Sequence, residues 1–339
     1  MTDRKSLSDA FLQQAGWHDA VRGPLAGDAS FRRYERLRRD NGGSSAVLMD
    51  APPPQEDVRP FVHIARWLAS HGFSAPRILA EDVGNGFLLL EDLGDDLYAR
   101  LLRQDRNDGT RADEETLYAA AIDVLLALRD HPAASLASYD ANRLVEEALL
   151  FIDWYLPALT GSPADTATRE SFAALWQSLA PEAVAQNPVT VLRDFHAENL
   201  LWLPGRQGKA RVGLLDFQDA VAGHPAYDLV SLLEDARRDV PPDLAERMLQ
   251  RYIGAAGASD TAFRRAYAIL GAQRNIRILG VFTRLWKRDG KPGYQAFMPR
   301  MWGLVERDLA HPALADLRTW MDRTVPPDLR RKPLPGLAP

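Results

Sequence analysis

The sequence predicts an α+β chain in two lobes, a small antiparallel β-rich lobe over residues 1–93 and a larger, mainly helical lobe over 94–339. Three observations carry this expectation. Up to about Leu93 the chain alternates and turns: "FRRYERLRR" (31–39) has the period of a half-buried strand, Asn41-Gly42-Gly43 signals a tight turn, and "SSAVLMD" (44–50) is a short apolar strand. Beyond Gly94 apolar residues recur at helical spacing, as at Leu117, Ala121, Val124, Leu125 and Leu128. At 339 residues, the chain is also longer than one core usually serves.

Taken in order, residues 1–18 read as an amphipathic helix with Leu7, Phe11 and Leu12 on one side. Pro60 opens a second helix that Gly72 closes, and Phe61, Ile64, Ala65 and Leu68 share one of its faces. "RILAEDVGNGFLLLEDLG" (77–94) gives two strands across a Gly-Asn-Gly turn. A connector near Glu91–Asp96 leads into the helical lobe, where strand-like segments return only between Val189 and Phe217. From about residue 325 the ending is Pro-rich and predicts extended or disordered chain.

Composition narrows the function. With 46% hydrophobic and 26% charged residues the chain is ordinary globular material, and a net charge of -5 lacks the basic footprint of a nucleic-acid partner. The absence of cysteine excludes disulfides, thiolate catalysis and cysteine-bound zinc. No run of apolar residues reaches bilayer-spanning length, and the polar start "MTDRKSLSDAFLQQAG" has no signal-peptide core. The expectation is a cytoplasmic protein acting on a small molecule, without membrane, nucleic acid or obligate protein partner.

Two phosphate motifs fail. "GRQGKA" (205–210) has the wrong glycine spacing for a P-loop and puts Ala210 where a magnesium-binding hydroxyl belongs. "GNG" (84–86) lacks the third glycine and the following helix of a dinucleotide fingerprint. Both read as turns. What survives is "VLRDFHAENLLWL" (191–203) together with "VGLLDFQDA" (212–220). Singly, Asp194, Asn199 and Asp216 read as turn formers. Together they supply phosphoryl-transfer chemistry: Asp194 orients an attacking hydroxyl and accepts its proton, while Asn199 and Asp216 offer oxygen ligands to Mg²⁺ on the phosphates of ATP.

With these residues in hand, the chain resembles the aminoglycoside phosphotransferase and choline kinase-like family, which implies a bilobal protein-kinase-like fold. "RDFHAEN" is similar to that family's catalytic loop, written HGDxHxxN, and "LLDFQDA" to its magnesium loop. In "GHPAYDLVSLL" (223–233) the resemblance makes Asp228 a support of the catalytic loop. It also makes the hairpin Gly27, Asp28, Ala29, Ser30, Phe31, Arg32 and Arg33 the cover over the ATP phosphates, and Glu91, Asp92 and Leu93 the frame for adenine. Within the family, "GDASFRRY", "VLMDAPP" and "QRNIRILGVFTRL" resemble the bacterial anomeric kinases of N-acetylmuramate and N-acetylglucosamine, which serve peptidoglycan recycling. A kinase of another small hydroxyl substrate, or a nucleotide-binding pseudokinase, is the competing reading.

The departures from the family pattern are informative. Leu192 and Arg193 stand where His-Gly usually precedes the aspartate. Met49 stands where a kinase carries its phosphate-binding Lys, and the helix from Pro60 to His71 has no Glu to pair with one. Arg32 and Arg33 are the candidate replacements, one of them directed to the nucleotide by strand alternation and the other solvated. On the acceptor side, His196, Asp219, Glu146, Trp154 and Arg274 are candidates by spacing, with Glu147 and Arg277 beside them. Loop packing accounts for His196 and a local ion pair for Arg274 equally well, and surface charge and a core Trp account for Glu146 and Trp154 better.

Overall fold

The computed structural model describes residues 3–25, 31–39, 43–103 and 113–336. The chain opens with α1 (Arg4–Gln14), β1 (Val21–Pro24), β2 (Arg33–Arg38), β3 (Ser45–Asp50), α2 (Arg59–Ser70), β4 (Ile78–Asp82) and β5 (Phe87–Glu91). Short α3 (Tyr98–Leu101), long α4 (Glu114–Arg129) and α5 (Ala141–Ala148) follow. After a π-helical turn at Phe151–Tyr155 come α6 (Leu156–Thr160), α7 (Thr166–Ala183), β6 (Val189–Val191), β7 (Leu200–Trp202), β8 (Val212–Leu214) and β9 (Val221–Gly223). The rest is helical: α8 (Ala226–Leu233), α9 (Pro242–Ala256), α10 (Asp260–Lys287), α11 (Met298–Asp308), α12 (Ala315–Thr324) and α13 (Pro327–Arg330). Among the described residues no helix is long and apolar enough to cross a membrane.

Two compact units emerge: Met1–Val124 with Ala197–Ala220, and Leu125–His196 with Val221–Pro339. The boundary read from sequence after residue 93 falls inside the first unit. The reason is local: Trp202 N donates to Asp96 O at 2.8 Å and Leu214 N to Ser74 O at 2.9 Å, so the β7–β8 pair packs with the sheet-bearing segment.

In the first unit the strands form one antiparallel sheet in the order β1-β2-β3-β5-β4. Alternation sends Leu37, Ala46, Leu48, Phe87 and Leu89 to one face, where Phe11 and Leu12 of α1 cover them. Burying each such large side chain contributes roughly 1.5–3 kcal/mol. Arg4 fastens the helix to the sheet through Asp50 (2.5 Å) and the carbonyl of Asn85 (2.6 Å). The Gly-Asn-Gly turn between β4 and β5 needs its last glycine, since Gly86 has φ 72° and a Cβ there would sit 2.0 Å from the Ala51 carbonyl oxygen.

The second unit is built along α10, a 28-residue helix whose central turns are buried. The aromatic residues Phe151, Tyr155 and Trp302 pack together beside it, and Trp302 Nε1 donates to the Tyr155 hydroxyl at 2.9 Å. The Pro-rich ending corrects the expectation of loose chain. Arg330 on α13 is buried, donating to Asp322 (2.6 Å) and to the Val325 carbonyl (2.8 Å) and lying over the Trp302 ring. Composition misled here because three side chains, Val325, Arg330 and Leu334, anchor the prolines.

Candidate active site

The loop that carries Asp194 belongs to the second unit. After β6, Leu192 is buried and serves as the packing anchor its apolar character suggests. Arg193 has φ 70°, a left-handed conformation in the position that the resembling family fills with glycine. Such a conformation costs of order 1–3 kcal/mol and persists only when its surroundings fix it. Here they do. Asp228 accepts from Leu192 N (2.7 Å) and Arg193 N (2.8 Å), and the Ser231 hydroxyl donates to the Arg193 carbonyl at 3.0 Å. The Arg193 guanidinium grips both oxygens of Glu147 at 2.7 and 2.8 Å. Asp194 is thus half-buried at the end of a backbone held from three sides. Burial pushes the Asp228 carboxyl up to about 7, against the pull of its two N–H donors.

Asn199 and Asp216 belong to the first unit. Leu215 N donates to Asn199 O at 2.9 Å, and β7 pairs with β8 as Leu200↔Leu214, so the two residues leave adjacent strand ends. Phe217, next to Asp216, is fully buried and stacks on Phe61 of α2 at 4.8 Å, fixing the loop. Asp216 has φ 55° and accepts from the Gln218 amide at 2.9 Å and from Arg32 at 3.3 Å. One amide and one carboxylate are the hard, partial oxygen set that magnesium accepts when phosphates supply further ligands, so the residues present fit that ion.

The segment expected to cover the phosphates is described only from Phe31 onward; Gly27, Asp28, Ala29 and Ser30 lie outside the described residues. Phe31 is exposed, with its N–H donating to Glu56 at 3.0 Å. Arg32, just before β2, and Arg33, its first residue, part: Arg32 is largely buried between Glu56 and Asp216, whereas Arg33 is exposed. Met49 is buried in the sheet opposite Tyr34 and Leu88. At the connector, the Glu91 carboxylate is taken by Arg206 (2.8 Å) and Arg77 (3.2 Å), and Asp92 by Arg36 (2.9 Å). Their side chains brace the connector, leaving its backbone and Leu93 as the part suited to adenine.

The acceptor-side candidates separate. His196 is buried against Arg237 (3.0 Å), and burial with that cation keeps its ring neutral. Arg274 is buried and donates to Ser231 at 3.0 Å, so it braces the loop from behind. Glu146 is exposed, Trp154 is half-buried on the π-helical turn, and Asp219 is exposed beside Gln218. Glu147 turns inward as the partner of Arg193. Glu56 is missed by a reading that looks for a Glu inside the helix, because it lies three residues before the helix begins.

A sheet-bearing unit with an amide and a carboxylate at adjacent strand ends, and a helical unit that clamps an aspartate after a short strand, each match the pattern of a phosphotransferase of the kinase-like fold. Solved structures agree on the fold. A choline kinase of Streptococcus pneumoniae matches with a TM-score of 0.61 and 13% identity over 92% of this chain and 99% of its own. The GDP complex of an aminoglycoside 2′-phosphotransferase matches at 0.59 and 17% over 91% and 99%. Residues 22–267 match the phosphotransferase enzyme family, and the chain belongs to that family. Among its relatives, a Caulobacter vibrioides protein named N-acetylmuramate/N-acetylglucosamine kinase is 43% identical over 97% of this chain and 99% of its own. A protein of the same name from Pseudomonas putida is 39% identical over 92% and 91%.

Proposed function

We propose that the protein transfers the γ-phosphate of ATP to the anomeric hydroxyl of N-acetylmuramate or N-acetylglucosamine. The observation that carries this reading is the near full-length identity, 43%, to a relative bearing the name of that kinase. The chemistry of the named residues supports it. Asp194 takes the proton of the acceptor hydroxyl as its oxygen attacks the γ-phosphorus; the bond to the bridging oxygen breaks and ADP leaves. An anomeric hydroxyl is more acidic than an ordinary alcohol, so a carboxylate suffices as base. Asn199 and Asp216 hold Mg²⁺, which when bound supplies neutralisation of the phosphate charge. Arg32 holds phosphate oxygens with its planar fork, and the backbone of Glu91–Leu93 frames adenine.

The test is turnover with ATP and Mg²⁺ against N-acetylmuramate, N-acetylglucosamine, choline and an aminoglycoside. The expected result is phosphorylation of the sugars alone, with phosphorus NMR placing the phosphate on the anomeric oxygen. Turnover of choline or the aminoglycoside with both sugars inert would overturn the reading.

A further inference from the structure

Glu147 on α5 is the meeting point of more positive charge than it can neutralise. Besides the double contact from Arg193, Arg277 Nε stands 3.0 Å and Arg143 Nε 3.3 Å from its oxygens, and the Tyr139 hydroxyl donates at 3.0 Å. Three guanidinium groups face this one carboxylate. Asp194 is the other carboxylate acting on Arg193, and counting it leaves three positive charges against two negative. Two turns along α10 from Arg277 stands Arg284, half-buried, with no ion pair among the described residues and its Nε buried without a hydrogen-bond partner. Burial, Arg288 and Arg277 disfavour its charge and together outweigh the favourable field of Asp289.

These two arginines flank the place where α10 meets the segment after α5. Gly280 lies between them, and a Cβ there would stand 2.4 Å from the Leu150 carbonyl carbon. The close approach sets the π-helical turn that carries Trp154 against the same face of α10. The cluster is reachable from solvent, since Arg143 and Arg277 keep 34% and 24% of their side chains exposed. A surplus of partly desolvated cation is costly unless an anion completes it.

We propose that Arg277 and Arg284 form a subsite for the carboxylate of the acceptor, and so select an N-acetylated sugar acid over its neutral counterpart. The proposal rests on the reading of the chain as an amino-sugar kinase. A lactyl carboxylate is the anion that N-acetylmuramate has and N-acetylglucosamine lacks. Arginine suits it because the guanidinium fork matches both carboxylate oxygens. The subsite is tied to the chemistry through one clamp: Glu147 touches Arg277 on one side and holds Arg193, the residue before Asp194, on the other.

The test is a cycle of two acceptors and three proteins. N-acetylmuramate and its carboxamide, which keeps the shape and loses the charge, are compared by kcat/KM in the unmodified enzyme, Arg277→Gln and Arg284→Gln. The unmodified enzyme is expected to favour the acid about ten-fold or more, the scale of a charge-assisted hydrogen bond. Each variant should cut that preference to about three-fold or less, and because the ratio is taken within one protein, general damage to folding cancels. Arg284→Gln also leaves the ion pairs on Glu147 in place. Equal use of acid and amide by the unmodified enzyme, or a preference that survives in both variants, overturns the subsite alone. If the unmodified enzyme phosphorylates neither of these nor N-acetylglucosamine, the kinase reading falls with it.

Discussion

Arg32 donates to Asp216 across 3.3 Å while its Nε faces the carboxylate of Glu56 at 3.7 Å. A cation paired with a glutamate, beside the aspartate proposed to hold magnesium, is the arrangement a kinase ordinarily builds from a strand Lys and a helix Glu. Here Met49 fills the strand position as plain core, and the analogous pair joins Arg32, just before β2, to Glu56 in the loop before α2. Arg32→Ala is therefore expected to raise the KM for ATP and lower kcat, for a combined loss of ten-fold to about one-hundred-fold, matching roughly 1.5–3 kcal/mol for a hydrogen bond to a charged group. Arg33→Ala, on the exposed side of the strand, should stay within about two-fold. Steady-state kinetics with varied ATP checks both, and parity between the two variants would remove Arg32 from its role.

Asp194→Asn removes the carboxylate proposed as proton acceptor and leaves a side chain of the same shape. The loop is positioned by Asp228, Ser231 and Glu147 acting on its neighbours, so the fold does not depend on the Asp194 charge. The expected result is a fall in kcat of about 10²–10⁴-fold, the span of general-base catalysis, with an unfolding midpoint in urea unchanged. Retained turnover, or a collapse of stability, would contradict the assignment.

The sheet, the first two helices and the pair of short strands around Asn199 and Asp216 are legible in the sequence because period and turn chemistry are local. Leu37, Leu48 and Leu89 announce their face by alternation, and Phe61, Ile64 and Leu68 by helical spacing. Long-range pairing is not legible in this way. Nothing near Arg193 reveals that its partner lies 46 residues upstream at Glu147, and Arg32 meets Asp216 across 184 residues. Arg274 misleads for the same reason. An arginine in "QRNIRI" reads as available to a substrate until its burial against Ser231 is seen, and Arg277, one turn on, is the one that keeps partial exposure.

Asp228 holds the two amide groups that precede Asp194, one on each carboxylate oxygen. Asp228→Asn keeps a single acceptor and offers an N–H₂ toward the other amide, so one buried donor loses its partner. A loss of about 1–3 kcal/mol in stability is expected from that orphaned group. Because Arg193 then has less to hold its left-handed backbone, kcat should fall while the KM for ATP changes little. Urea unfolding together with kinetics tests this, and a variant as stable and active as the parent would show that the two bonds do not organise the loop.

His224 gives the fold a pH dependence whose sign can be fixed. Its ring packs against Phe263, its Nδ1 accepts from Ala226 N at 3.1 Å, and burial lowers its pKa to about 4 from an ordinary 6.5. Between those values the unfolded chain binds a proton that the native protein does not. Its contribution is therefore intact above about pH 6.5 and is lost as pH falls toward 4, at about 1.4 kcal/mol per pH unit. Asp228 works in the opposite sense, since a carboxyl raised to about 7 costs stability as pH rises through that range. The whole-protein profile mixes the two, so the comparison must be with His224→Asn, whose side-chain oxygen keeps the bond to Ala226 without titrating. Moving from pH 7 to pH 5, the variant should lose about 2 kcal/mol less than the parent in urea unfolding. Parallel losses would mean that His224 titrates alike in the folded and unfolded chain.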